Sequence, residues 1–172
     1  MNVLKVLLAA IFVAASLSGA TLEDYDKIIS EEKNPADKQR RLCEREVIFI
    51  SKDPTLCIKA AQIYLKEYDD ILQKGYNSHK GEVAAMYFNA AIIYSKIGDN
   101  GNKVKMLTKV LEFSPNDEYS NYFLGTAYYF GEAVDTNKTK AYGHWNIAAK
   151  QGNQQAQKNC DILCKESPWA CK

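Results

Sequence analysis

The chain lacks an excess of charge of either sign. Its 22 Lys and Arg stand against 21 Asp and Glu, giving +1. Lys5 is the only charge in residues 1–20, so the remainder is close to neutral. A neutral chain has no electrostatic reason to seek nucleic acid or an anionic membrane. Histidine is nearly absent too. His79 and His144 stand far apart, which excludes a histidine metal cluster, and no phosphate-binding loop is present, so no cofactor or metal is implied. Either imidazole can titrate near neutrality, but neither has a Ser or Cys with an acid partner nearby in sequence, and structural roles are expected.

A long hydrophobic run is missing from all but the start of the chain. Lys5 precedes an apolar core, Val6 to Ala15, and the small residues Ser18-Gly19-Ala20 follow it. That pattern is a secretory signal peptide, too short to span a bilayer comfortably, with cleavage expected before Thr21. No Cys stands at position 21, so a lipid anchor is not supported. The expected mature chain, residues 21–172, suits one domain, periplasmic or secreted, with no membrane insertion once the leader is removed.

All five cysteines lie in the exported part, at 43, 57, 160, 164 and 171. In an oxidising compartment they read as disulfides with one thiol left over. Cys164 and Cys171 flank Ser167-Pro168, and a tight reversal there would bring them face to face. Cys160 sits one turn earlier on the same face and competes for Cys171. Zinc at Cys160, Cys164 and Cys171 would want a further ligand that no nearby His supplies. Cys43–Cys57 remains by elimination. A straight helical hairpin turning at Asp53-Pro54 would put Cys57 opposite Phe49 or Ile50, so this pair requires a break in the preceding helix.

The pattern is helical throughout. Pro35 to Ser51 reads as a helix with Pro at its start. It carries the mixed run Asp37, Lys38, Arg40, Arg41, Glu44, Arg45 and Glu46, which reads as a solvated face. Val47 to Ile50 has strand propensity but no partner strand, and is read as helix. Asp53-Pro54 caps the next helix, on which Ala60, Ala61, Tyr64, Leu65, Tyr68, Ile71 and Leu72 form a 3.6-residue stripe before a break at Gly75 to Ser78.

Two stretches look like repeats. In residues 118–153, Leu124, Gly125 and Tyr128 share one helical face, with Gly125 placed to admit a neighbouring helix. Gly131 closes that helix in a left-handed conformation that only Gly adopts cheaply. Ala141, Trp145, Ala148 and Ala149 line the next helix, which ends at Gly152. This unit resembles a Sel1-like repeat, with Ala133 where the second loop glycine is usual. Residues 84–117 carry Tyr87, Ala90, Ala91 and Tyr94, the turn Gly98-Asp99-Asn100-Gly101, then Leu107, Val110, Leu111 and Pro115. They resemble a tetratricopeptide repeat, with Lys103 where a small residue is usual. Residues 154–172 fit a half-repeat cap, with Ala156, Cys160 and Cys164 at its repeat positions.

The resemblance implies an all-α solenoid of about four antiparallel helical hairpins with a disulfide-tied C-terminal cap, binding a protein through its concave face. On that face it places Tyr119, Tyr122, Thr126, Tyr129 and Phe130 from one repeat. Ala85, Phe88, Ile92, Ser95 and Lys96 come from the repeat before it. Tyrosines suit such a surface, giving area at low entropic cost; the competing reading packs them under the next hairpin or under the tail around Trp169. The implied function is a non-catalytic scaffold for a cell-envelope protein, for instance in a machine such as a flagellar motor. Some cysteine-rich Sel1-like proteins have been described as penicillin-binding or β-lactamase-like. Ser30-Glu31-Glu32-Lys33 matches S-x-x-K, but neither K-T-G nor S-D-N follows. A secreted host-interaction factor is a third expectation. Finally, Asp135-Thr136-Asn137-Lys138-Thr139 contains an N-x-T acceptor with an acidic residue two before the Asn, in a turn where a sugar is tolerated; otherwise the same residues cap the next helix.

Overall fold

The computed structural model describes residues 21–67 and 78–171. The leader, Tyr68, Ile71, Leu72, the break at Gly75 to Asn77 and the side chain of His79 lie outside the described residues. Among the described residues the chain is all-α, with no strand. It divides into two compact units, 1–99 and 100–172. The division falls in the Gly98 to Gly101 turn, so the two helices of the tetratricopeptide-like stretch belong to different units.

The first unit contains α1 (Leu22–Glu31), α2 (Pro35–Arg45), a π-helical turn (Glu46–Ile50), α3 (Thr55–Glu67) and α4 (Ser78–Lys96). Thr21 starts α1 through a capping box with Asp24, and Asn34 starts α2, its side chain accepting from the Ala36 and Asp37 amides. The charged run on α2 is not simply solvated. Arg41 reaches Glu32 at 3.3 Å and Arg45 reaches Asp26 at 2.6 Å, tying α2 to α1 and to the link after it. Glu44 and Glu46 are buried. Arg40 pairs with Glu44, while burial still holds the Glu44 carboxyl above its usual range. The expectation failed because helical spacing gives the direction of a side chain along its own helix and not what lies across from it.

Cys43 and Cys57 form a disulfide with Cα atoms 4.5 Å apart, both fully buried. The required break is a π turn followed by a returning loop. Glu46–Ile50 carries the wider i→i+5 pattern, and Ser51 ends it in the left-handed region at φ 55°. The Lys52 and Asp53 amides then both donate to Glu46 Oε1 at 2.6 Å. The loop is thereby folded back along the helix it has just left, and α3 starts beside α2 rather than beyond it. Gln39 donates to the Leu56 carbonyl at 3.1 Å and Tyr64 to Asp37 at 2.7 Å, fixing α3 antiparallel to α2. Burial is continuous from Val83 to Ala91 along α4.

The second unit contains α5 (Asn100–Phe113), α6 (Glu118–Phe130), α7 (Lys138–Lys150), α8 (Gln154–Glu166) and a 3₁₀ turn (Pro168–Cys171). Each helix packs on the next, joined by short links. Side-chain oxygens of Asp117, Asn137 and Asn153 start α6, α7 and α8. Gly131 (φ 77°) and Gly152 (φ 101°) follow α6 and α7 in the left-handed region, as their positions predict. Gly125 meets Trp145 as the small-residue pattern requires: a Cβ built on it would lie 2.6 Å from the indole Nε1 and 2.9 Å from Cγ. That indole donates to the Tyr122 carbonyl at 3.2 Å. Ala141, Trp145, Ala148, Ala156, Cys160 and Leu163 are one buried cluster between α7 and α8. Lys103, where a small residue was expected, pairs with Glu132 at 3.1 Å.

Candidate protein-binding groove

The second unit carries a groove of about 290 Å³ lined by Tyr122, Thr126, Tyr129 and Phe130 from α6, Trp145 from α7, and Asn159, Ile162 and Leu163 from α8. Its floor is the Gly125–Trp145 contact. Gly125 lets the indole lie against α6, with Tyr122 and Tyr129, both half-buried, three residues before it and four after. Tyr129 packs on Trp145 with ring centroids 5.3 Å apart and on Phe130 at 4.9 Å, edge to face. Phe130 (66 % exposed) and Ile162 (51 % exposed) stand open to solvent at its edge.

The polar groups of this groove are largely committed. Thr126 donates to the Tyr122 carbonyl at 3.0 Å. Tyr129 donates to Glu166 at 3.1 Å, and that hydrogen bond raises its phenol above the ordinary value. The lining therefore offers apolar area with few free polar handles, the composition that buries side chains of another molecule.

Four of the residues placed on the concave face by sequence, Tyr122, Thr126, Tyr129 and Phe130, come together here. Tyr119 is on the same helix and partly exposed, outside the groove lining. Phe88 and Ile92 lie on α4 in the other unit, and the Phe88 ring is buried. The competing reading also holds in part, since Tyr129 contacts the end of α8. Sequence reasoning missed Asn159 and Ile162. Ile162 stands on the outward side of α8 and Asn159 at the margin of its buried stripe, so neither belongs to the pattern that the helix repeats.

The Cys164–Cys171 disulfide closes beside this region, with Cα atoms 5.7 Å apart. It holds the 3₁₀ turn on the end of α8. Cys160 is left as a buried free thiol, pushed up to about 11 by burial. No group of three metal-ligating side chains is gathered among the described residues, and no described helix is long and apolar enough to cross a membrane. His144 precedes Trp145 on α7 and is not part of the groove lining. Its Nδ1 is 2.9 Å from Asn121 Oδ1, and its ring stacks on Tyr128 at 5.6 Å. Burial, and then the nearby Lys140 charge, lowers its affinity for a second proton. Ser30 donates to the Lys27 carbonyl at 2.7 Å on exposed α1, and Lys33 is exposed beyond the helix end. Asn137 is exposed at the start of α7.

No family model, curated protein or solved structure matches this chain.

Proposed function

We propose that this chain is an exported, non-catalytic adaptor, built as a Sel1-like and tetratricopeptide-like helical-hairpin solenoid, that binds a cell-envelope protein through the α6–α8 groove. The observation that carries this reading is the open aromatic edge: Phe130 and Ile162 are more than half exposed beside the half-buried rings of Tyr122 and Tyr129. Leaving such side chains in water is unfavourable by roughly 25 cal/mol per Å² of apolar surface, which a partner recovers on binding. The apolar lining from α6, α7 and α8 suits an amphipathic helix or an extended apolar segment, with side chains entering over Trp145. The two disulfides and the apolar leader support an exported location.

The test is affinity capture from envelope extract by the chain without its leader, alongside Phe130→Asp and Ile162→Asp. Neither substitution reaches the Gly125–Trp145 floor, so helical content by circular dichroism should stay unchanged. A partner held by the parent and weakened at least tenfold by each variant is expected. Equal retention by all three would place the interface elsewhere, and capture of nothing would remove the adaptor reading.

A further inference from the structure

We infer that Asn137 is an acceptor for N-linked glycosylation, and that the first sugars of the glycan rest in the hollow between Tyr129 and Trp169. The inference rests on export, and its hollow shares only Tyr129 with the groove of the adaptor reading. Two independent observations meet at one place. Asp135, Thr136, Asn137 and Thr139 of the N-x-T stretch are all exposed. A hollow of about 530 Å³ then opens directly beside them, lined by Tyr129, Thr136, Asn137, Lys138, Thr139 and Trp169.

The side chain of Asn137 is used in a way that leaves its nitrogen available. Oδ1 accepts from the Lys140 amide at 2.9 Å and so caps α7. Glycosylation uses the other atom. Nδ2 attacks the anomeric carbon of a lipid-diphosphate-linked oligosaccharide. The bond from that carbon to the phosphate oxygen breaks, a new C–N bond forms, Nδ2 gives up one of its two protons, and the lipid diphosphate leaves as an anion. No electrons change hands, and Oδ1 keeps its capping bond in the product.

The hollow explains why the sugar would be held and not merely tolerated. Trp169 is 62 % exposed, yet its position is fixed from two sides. The Cys164–Cys171 bond closes the turn that carries it, and Lys138 donates to Ser167 Oγ at 2.8 Å, tying that turn to the start of α7. A large aromatic ring kept in water beside an acceptor Asn offers its face to the C–H side of a pyranose, while Thr136 and Thr139 supply hydroxyls for the sugar's own.

The test is export of the full chain in a host carrying an Asn-linked oligosaccharyltransferase, with a known glycoprotein as control, read by intact mass. Expected is a mass increment of one oligosaccharide, mapped to the Asn137 peptide, retained by Thr139→Ser and lost in Asn137→Gln and Thr139→Ala. Since Asn137→Gln also removes a helix cap, Thr139→Ala is the deciding variant. An unmodified chain beside a modified control overturns the acceptor. For the hollow, enzymatic removal of the glycan should shift tryptophan emission to the red, with no shift in Trp169→Phe. An unchanged emission in the parent would overturn the seat.

Discussion

The two units keep their cysteines in opposite ways. In the first, Cys43–Cys57 lies wholly inside, among buried charge: Glu44 and Glu46 are both interior, one against Arg40 and the other accepting two backbone amides. In the second, Cys164–Cys171 lies at the edge, the buried carboxylates Asp117 and Glu118 stand at the start of α6, and the core between α6, α7 and α8 is made by glycine against tryptophan and by rows of alanine. The first unit spends its unusual residues on holding an irregular helix end in place. The second buries Asp117 and Glu118 at a regular helix start and leaves its large aromatics Phe130 and Trp169 exposed.

The largest effect should come from the inner disulfide. Replacing Cys43 and Cys57 together by Ser opens a loop of 14 residues and should remove about 3 kcal/mol. Both tryptophans, Trp145 and Trp169, belong to the second unit, so their emission reports that unit while circular dichroism reports the whole chain. In guanidinium titrations the dichroism midpoint should fall with tryptophan emission unmoved. A joint shift would show one cooperative structure and break the comparison.

Gly125→Ala comes next. Its methyl group must enter a rigid indole, and overpacking of that kind costs about 1–3 kcal/mol, read here as a lower midpoint by tryptophan emission. Gly143 is the counterpart within the same hairpin. A Cβ there meets nothing within 4 Å, so Gly143→Ala should raise stability by up to about 1 kcal/mol through helix propensity.

Acid should act differently on the two units. His144 ordinarily titrates near 6.5, and in the fold burial lowers that value. Its contribution is therefore complete above 6.5 and is lost as pH falls through the folded value. Glu44 is raised by burial: its contribution is complete below the usual carboxylate range and is lost as pH rises through its folded value. Between pH 7.5 and 5.5 the tryptophan-reported midpoint should fall, and His144→Gln should flatten that fall. An equal fall in the variant would move the cause to another group. In the second unit Asp117 is also raised by burial, and it should oppose the loss only at lower pH.

The smallest effect concerns Ala133, held at φ 58° in the left-handed region. Ala133→Gly relieves a backbone cost of roughly 1 kcal/mol, partly offset by the greater freedom of glycine when unfolded. A rise in melting temperature of a few degrees or less is expected. A fall would mean that the loop around it is not strained.

What could be read in the sequence was whatever a helix repeats. A neighbouring helix close against Gly125 and the stripes on α7 and α8 follow from spacing alone, because close helix approach demands small residues at fixed offsets. Cys164–Cys171 was legible from a short loop with Pro at its centre. The route that joins Cys43 to Cys57 was not, because it depends on one carboxylate, Glu46, gathering two amides from a loop six and seven residues on. A contact of that kind leaves no period. Ile162 and Asn159 went unread for a related reason: the pattern of α8 names its buried side, and its outward side gains meaning only once α6 stands next to it.

The two disulfides also set how the chain would respond to being pulled. Tension arriving at Cys57 passes through sulfur to Cys43 and leaves the 14-residue span between them slack, and the same holds for the 7-residue span between Cys164 and Cys171. At an extended reach of about 3.4 Å per residue, the π turn with its returning loop hides about 48 Å of chain, and the C-terminal turn about 24 Å. A chain strained between its ends would lose its helices while both of these segments stayed closed, until a reductant cut the bonds and released the hidden length.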